Sequence, residues 1–223
     1  MANINQKPTE NQQAVGQAVS GAEEFLKQNG KLLGWIAIGI LAVVAICLAV
    51  SNWVIKPART AAVDDTFVAE EYFIAGDYQT ALEGDGSSLG FRDIISQYGA
   101  KGGKAVYFYA GVSELQLGNY EEAIKYLKKY NGKDNILAAR ALACLGDAYA
   151  GTGDLKAALA SYDKAIKVDN MYAAAYMLKA GITCEELGDN DKALGYYQDI
   201  KDKYPQSLEA YDIDKYISRI NIK

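Results

Sequence analysis

The chain has 223 residues, a formal net charge of −5 and no histidine, and its cysteines, Cys47, Cys144 and Cys184, have no CxxC spacing. That length has room for one mid-sized globular unit and something smaller. Without imidazole or paired thiols, Ser-His-Asp and Cys-His catalysis, most metal sites and a disulfide framework are excluded, and an acidic chain is a poor nucleic-acid binder, which needs clustered Lys and Arg.

Residues 1–31 read as a polar tail, with residues 1 to about 12 rich in Asn and Gln and expected to be disordered. Val15, Ala18, Val19, Ala22, Phe25 and Leu26 then recur at helical spacing. This predicts either a short amphipathic helix at the membrane surface or a simple spacer. Leu32 to Ile55 carries no charge, and a membrane-spanning helix needs roughly 20 such residues. Trp35 and Trp53 lie about 27 Å apart along a helix rising 1.5 Å per residue, which would set an indole at each headgroup level. A cleaved signal peptide fits badly, because its leading segment would hold Glu10, Glu23 and Glu24 where a short basic stretch is expected. The span therefore reads as a retained signal anchor. Lys27 and Lys31 on one side balance Lys56 and Arg59 on the other, so charge alone leaves its orientation open. Residues 56–60 read as a linker.

Residues 61–104 predict a degenerate helical hairpin. Phe67 to Leu82 includes the turn Ala75-Gly76-Asp77-Tyr78 followed by Ala81, and Gly84-Asp-Gly-Ser-Ser-Leu-Gly90 then interrupts the pattern before Phe91 to Tyr98. The glycine run lacks the Gly-Lys-Ser/Thr ending of a phosphate-binding loop, so a surface insertion is favoured. Lys101-Gly-Gly-Lys104 reads as a connector.

Residues 105–206 repeat with a period of 35. Gly111, Gly146 and Gly181 align, then Gly118, Gly153 and Gly188, then Ala123, Ala158 and Ala193. With only 21 glycines in the chain, two all-glycine columns in one register are not accidental. The residue types share a cause: small residues let two helices approach closely, the turn glycine takes a left-handed conformation, and the Asn or Asp after it caps the next helix. The pattern resembles the tetratricopeptide repeat, a helix-turn-helix unit of 34 residues. The expected fold is all-α: one N-terminal transmembrane helix, then a tetratricopeptide-repeat solenoid closed by a C-terminal capping helix over 207–223, read from Leu208, Ile213, Ile217 and Ile220.

Little in the sequence supports catalysis, and no catalytic residue, cofactor or metal is expected. The pairs Asp64-Asp65, Glu121-Glu122 and Glu185-Glu186 diverge by about 100° on a helix and read as solvated faces. Cys144 and Cys184 read as small packing residues. Binding is the better reading, since stacked hairpins present a concave surface. The repeat register places Phe73, Phe108, Val112, Leu115, Arg140, Asp147, Leu178 and Ile182 there, unless the segment 84–104 covers part of it. Phe108 and Val112 stand where a carboxylate-gripping domain of this family carries Lys and Asn, so an apolar groove for an extended or hydrophobic polypeptide, or for a partner helix, is expected. Tyr120, Tyr149, Tyr162 and Tyr197 fall at packing positions, whereas Tyr172, Tyr176, Tyr196, Tyr211 and Tyr216 are candidate partner anchors.

The order of parts, with Glu23-Glu24-Phe25-Leu26-Lys27-Gln28-Asn29 before one anchor, Tyr78 to Leu82 through Gly90-Phe91, and Tyr120 to Leu127, resembles the YfgM-type ancillary SecYEG translocon subunits of Gram-negative bacteria. The resemblance implies a single-pass inner-membrane protein with a cytoplasmic N-terminus and a periplasmic repeat domain. It also implies association with the SecYEG translocon and a PpiD-type membrane-anchored chaperone, and handling of emerging polypeptide. The alternatives are a scaffold for another cell-envelope complex, in division, cell-wall synthesis or a dedicated secretion system, and an anchored enzyme using Asp or Glu alone.

Overall fold

The computed structural model describes residues 10–99, 103–168 and 171–221, in two compact units, Met1–Pro57 and Ala58–Lys223. In the first unit, α1 (Glu10–Val50) ends in a π-helical turn, Ser51–Ile55. Glu10, Asn11 and Gln12, expected to be disordered, are the first residues of α1; residues 1–9 and the side chains of Val15, Ala18, Val19, Ala22 and Leu26 lie outside the described residues. A helix over Lys27–Ile74 is long and apolar enough to cross a membrane, and none of its most apolar window is buried. Trp35 is 73% and Trp53 82% exposed. Residues 56–60, read as a linker, are helical: they open α2 (Lys56–Ile74), with Pro57 standing directly after the π-helical turn Ser51–Ile55.

The second unit is all helical among its described residues, with one isolated bridge between Gly84 and Leu89. After α2 come α3 (Tyr78–Glu83), α4 (Phe91–Tyr98), α5 (Ala105–Gln116), α6 (Tyr120–Lys129), α7 (Asn135–Gly151), α8 (Leu155–Lys167), α9 (Ala173–Glu186), α10 (Asn190–Lys203) and α11 (Leu208–Asn221). The hairpins α5/α6, α7/α8 and α9/α10 stack in order, and α11 closes the last.

Four turns share one geometry. Gly76, Gly118, Gly153 and Gly188 sit at φ of 81, 80, 81 and 80°, a region open to glycine. The next residue's N–H, from Asp77, Asn119, Asp154 and Asp189, donates back to the carbonyls of Tyr72, Glu114, Tyr149 and Cys184 at 3.0, 2.9, 2.9 and 2.9 Å. This terminates each first helix by satisfying a carbonyl that would otherwise lack a partner. Asp77, Asp154 and Asp189 then accept from the backbone N–H of Thr80, Ala157 and Lys192 and start the next helix. Asn119 does not cap, contrary to the sequence reading; its side chain donates to Glu114 Oε2 at 2.9 Å.

The helix glycines mark where the two helices of a hairpin touch. A Cβ on Gly111 would meet Leu127 Cγ at 2.6 Å, and on Gly146 and Gly181 the rings of Tyr162 and Tyr197 at 2.4 and 2.3 Å. The large side chain therefore lies flat on bare backbone. The matched alanines Ala123, Ala158 and Ala193 are fully buried.

The first hairpin is irregular. Its second helix is short, and the glycine loop folds on Asp85, whose Oδ1 accepts from the N–H groups of Ser87 and Ser88 at 2.9 and 2.7 Å and from Ser87 Oγ at 2.9 Å. Those donors, that of Ser87 first, hold the Asp85 carboxyl well below the ordinary range. The loop is a built turn, consistent with a structural insertion. It returns the chain so that Phe91 packs on Phe73 and Tyr109, with centroids 6.4 and 5.6 Å apart. Arg92, on α4, reaches Glu114, a fully buried carboxylate of α5: Nε and Nη2 donate to Oε1 at 3.0 and 2.9 Å. Nη1 donates to Glu83 at 3.1 Å. Connector residues Lys101 and Gly102 lie outside the described residues.

Breaking a buried pair by removing one partner is costly, whereas removing both charges is far less so. Arg92→Ala should lower stability by about 3 kcal/mol. Adding Glu114→Gln should return a large part of the loss, as read from urea unfolding followed by circular dichroism.

Candidate functional site

Counting back from each turn glycine defines the concave face. Residues thirteen positions before it are Val63, Ala105, Arg140 and Ala175, and residues six before it are Glu70, Val112, Asp147 and Ile182. The first helices of successive hairpins pack side by side, so these positions share one surface.

A cleft of about 280 Å³ opens there across α5, α7 and α9. From α5 it takes Val112, Leu115 and Gln116; from α7, Arg140, Ala143, Cys144 and Asp147; from α9, Ala175, Tyr176 and Lys179, with Tyr172 just before. The floor is largely apolar and the charged groups lie on α7 and α9. Asp147 Oδ1 accepts from Tyr162 Oη at 2.8 Å and from Lys179 Nζ at 2.7 Å, tying α7 to α8 and α9. Burial and the Asp147 carboxylate together raise the Tyr162 hydroxyl far above its ordinary range. Arg140 is exposed and makes no ion pair among the described residues. A local surplus of one positive charge follows.

Four of the eight residues read as groove positions, Val112, Leu115, Arg140 and Asp147, come together in this cleft. Val112 is only 6% exposed and serves as floor. Phe108 is 4% exposed, outside the cleft lining, and packs edge-on against Tyr109 and beside Tyr130. Phe73 is half-buried against Tyr78, Phe91 and Tyr109, at the side of the stack where the insertion returns. Leu178 packs on the C-terminal core around Met177 and Tyr197. Ile182 is half-buried and outside the cleft. Among the described residues, segment 84–104 contributes none of the lining. Cys144 and Lys179 are groove residues that the repeat register does not pick out; their signal is that each lies four residues after Arg140 or Ala175, on the adjoining helical row, as Tyr176 lies four after Tyr172.

The tyrosines sort the same way. Tyr176 is buried, Tyr196 donates to Asp163, and Tyr216 packs on Tyr197 with the Arg219 guanidinium over its ring. Tyr172 and Tyr211 are exposed. Glu185, read as solvated, instead accepts from Tyr197 Oη at 2.7 Å and from Arg219 Nε at 3.1 Å, which fastens α11 to α9.

Models of the tetratricopeptide repeat match residues 105–133 and 144–207. The solved structure of MamA is similar at 20% identity, with a TM-score of 0.55, covering 70% of this chain and 88% of that one. No curated protein matches the sequence significantly. The fold is an all-α tetratricopeptide-repeat solenoid, and a repeat domain of this kind is a protein-interaction module.

Chemistry at the one cleft thiol is disfavoured. Burial, and then the Asp147 charge, push Cys144 up to about 11, and the thiolate is the reactive form. In a Cys47→Ser variant, alkylation of Cys144 should be very slow at pH 7.5 and rise about tenfold per pH unit until pH approaches 11. Rapid labelling at neutral pH, read by mass spectrometry, would show an activated nucleophile.

Proposed function

We propose that this protein is a non-enzymatic, membrane-tethered adaptor that holds extended polypeptide in the concave cleft of its repeat domain, at the Sec translocon. The observation that carries the reading is the cleft itself: an apolar floor of Val112, Leu115, Ala143 and Tyr176 with Arg140 at its edge, shared by three first helices. Such a lining suits a chain segment with its side chains splayed, and contacts drawn from several repeats tolerate varied sequences. The charge-free stretch from Leu32 to Ile55, ended by exposed Trp35 and Trp53, supports a single-pass anchor with those indoles at the headgroups.

The assignment to the SecYEG translocon and a PpiD-type membrane-anchored chaperone is supported by the resemblance in the order of parts. So is the topology, with the N-terminus in the cytoplasm and the repeats in the periplasm of the bacterial inner membrane. A photo-crosslinking residue at Leu115, in the cleft, should capture nascent or unfolded polypeptide in native membranes. The same residue at exposed Lys164 on α8 should not. Affinity purification from those membranes should recover SecY and the chaperone. Capture equal at both positions would contradict the cleft, and recovery of division or cell-wall components in place of SecY would contradict the translocon.

A further inference from the structure

A second opening lies on the same concave register, nearer the start of the stack. It measures about 250 Å³ and is walled by Val63, Thr66 and Phe67 of α2 and by Ala105 and Val106 of α5, with Glu70 among them. Glu70 is half-buried, and its carboxylate has neither a hydrogen bond nor an ion pair among the described residues. Loss of water around it raises its carboxyl above the ordinary range. It stands six residues before its turn glycine, the register of Val112 and Asp147, so both openings face one groove. The groove thus has an unbalanced carboxylate towards α2 and an unbalanced guanidinium, Arg140, on α7. Between them lie the apolar side chains of α5.

From this charge arrangement, which rests on the cleft reading above, we infer that the groove is polarised and takes an extended polypeptide in one direction only, a basic residue of the ligand against Glu70 and an acidic one against Arg140. The spacing follows from packing. Neighbouring helix axes are about 8–10 Å apart, so α2 and α7, with α5 between, are separated by about 20 Å. An extended chain advances about 3.3 Å per residue, so the two ligand charges stand about six residues apart. The residue facing Glu70 is best a lysine or arginine, whose methylene stem lies along Val63 and Phe67 while its charge reaches the carboxylate. Opposite charges fix the register and direction of a ligand more than its raw affinity.

The probes are two labelled nonapeptides of identical composition, with leucine and serine between the charges. One has lysine at position 2 and glutamate at position 8; the other has the two exchanged. Fluorescence polarisation with the detergent-solubilised full chain should show one order binding about tenfold more tightly. The Glu70→Lys/Arg140→Glu protein should prefer the other order, and Glu70→Gln or Arg140→Gln should bring the two peptides to within about twofold. Circular dichroism of each variant checks that it is folded, and the neutral single variants stand in if the double reversal is not. Equal binding of both orders by the unaltered protein, or an order preference that survives the variants, would overturn the polarity and leave the cleft as a binding surface. No binding of either peptide would overturn the cleft reading together with the polarity.

Discussion

The bare backbone of one helix pressed against a flat side chain of the next sets the spacing of the whole solenoid. At Gly111, Gly146 and Gly181 there is no room for a methyl group, because Leu127, Tyr162 and Tyr197 already occupy it. A hairpin closed this tightly has one crossing geometry, and repeating it every 35 residues turns each hairpin against its neighbour in the same way. The concave surface follows from that repetition. So does the choice of tyrosine, since a buried ring with a polar tip can end its reach on a carboxylate: Tyr162 on Asp147, Tyr197 on Glu185. The same two carboxylates receive Lys179 and Arg219 from later helices. Each contact therefore links the inside of one hairpin to the next element along.

The two ends of the stack solve a different problem. A solenoid has open faces at its termini, and terminal units depart from the pattern to close them. At the C-terminal end α11 covers the core around Tyr197 and Ile213 and is fastened through Arg219. At the other end the broken helix α3/α4 brings Phe91 and Arg92 onto α5. There the buried Glu114 replaces the tyrosine found at its register in the hairpins before and after, Tyr72 and Tyr149. That exchange of a ring for an ion pair is what the insertion made possible.

The regular repeats were legible because close packing acts on every copy alike: the glycine and alanine columns stand in the sequence at fixed spacing. The groove was half legible for the same reason, periodicity alone bringing Val112, Leu115, Arg140 and Asp147 to one cleft. Phe108 and Phe73 lie outside that cleft, against Tyr130 and the returning Phe91, which come from other elements, and no local pattern records such a contact. Glu70 escaped because a carboxylate on a helix ordinarily means solvent; only the position of α5 beside it makes it half-buried. The helical state of residues 56–60 was hidden by Pro57, ordinarily a helix breaker, which here follows a π-helical turn.

The glycine column exists to admit the side chain opposite. A double-mutant cycle on Gly146→Ala and Tyr162→Ala, by chemical unfolding, measures this directly. Gly146→Ala should destabilise by about 1–3 kcal/mol when Tyr162 is present and have little effect or be stabilising once the ring is gone, because alanine is the better helix former. A cost of Gly146→Ala that is the same with and without the Tyr162 ring would contradict it.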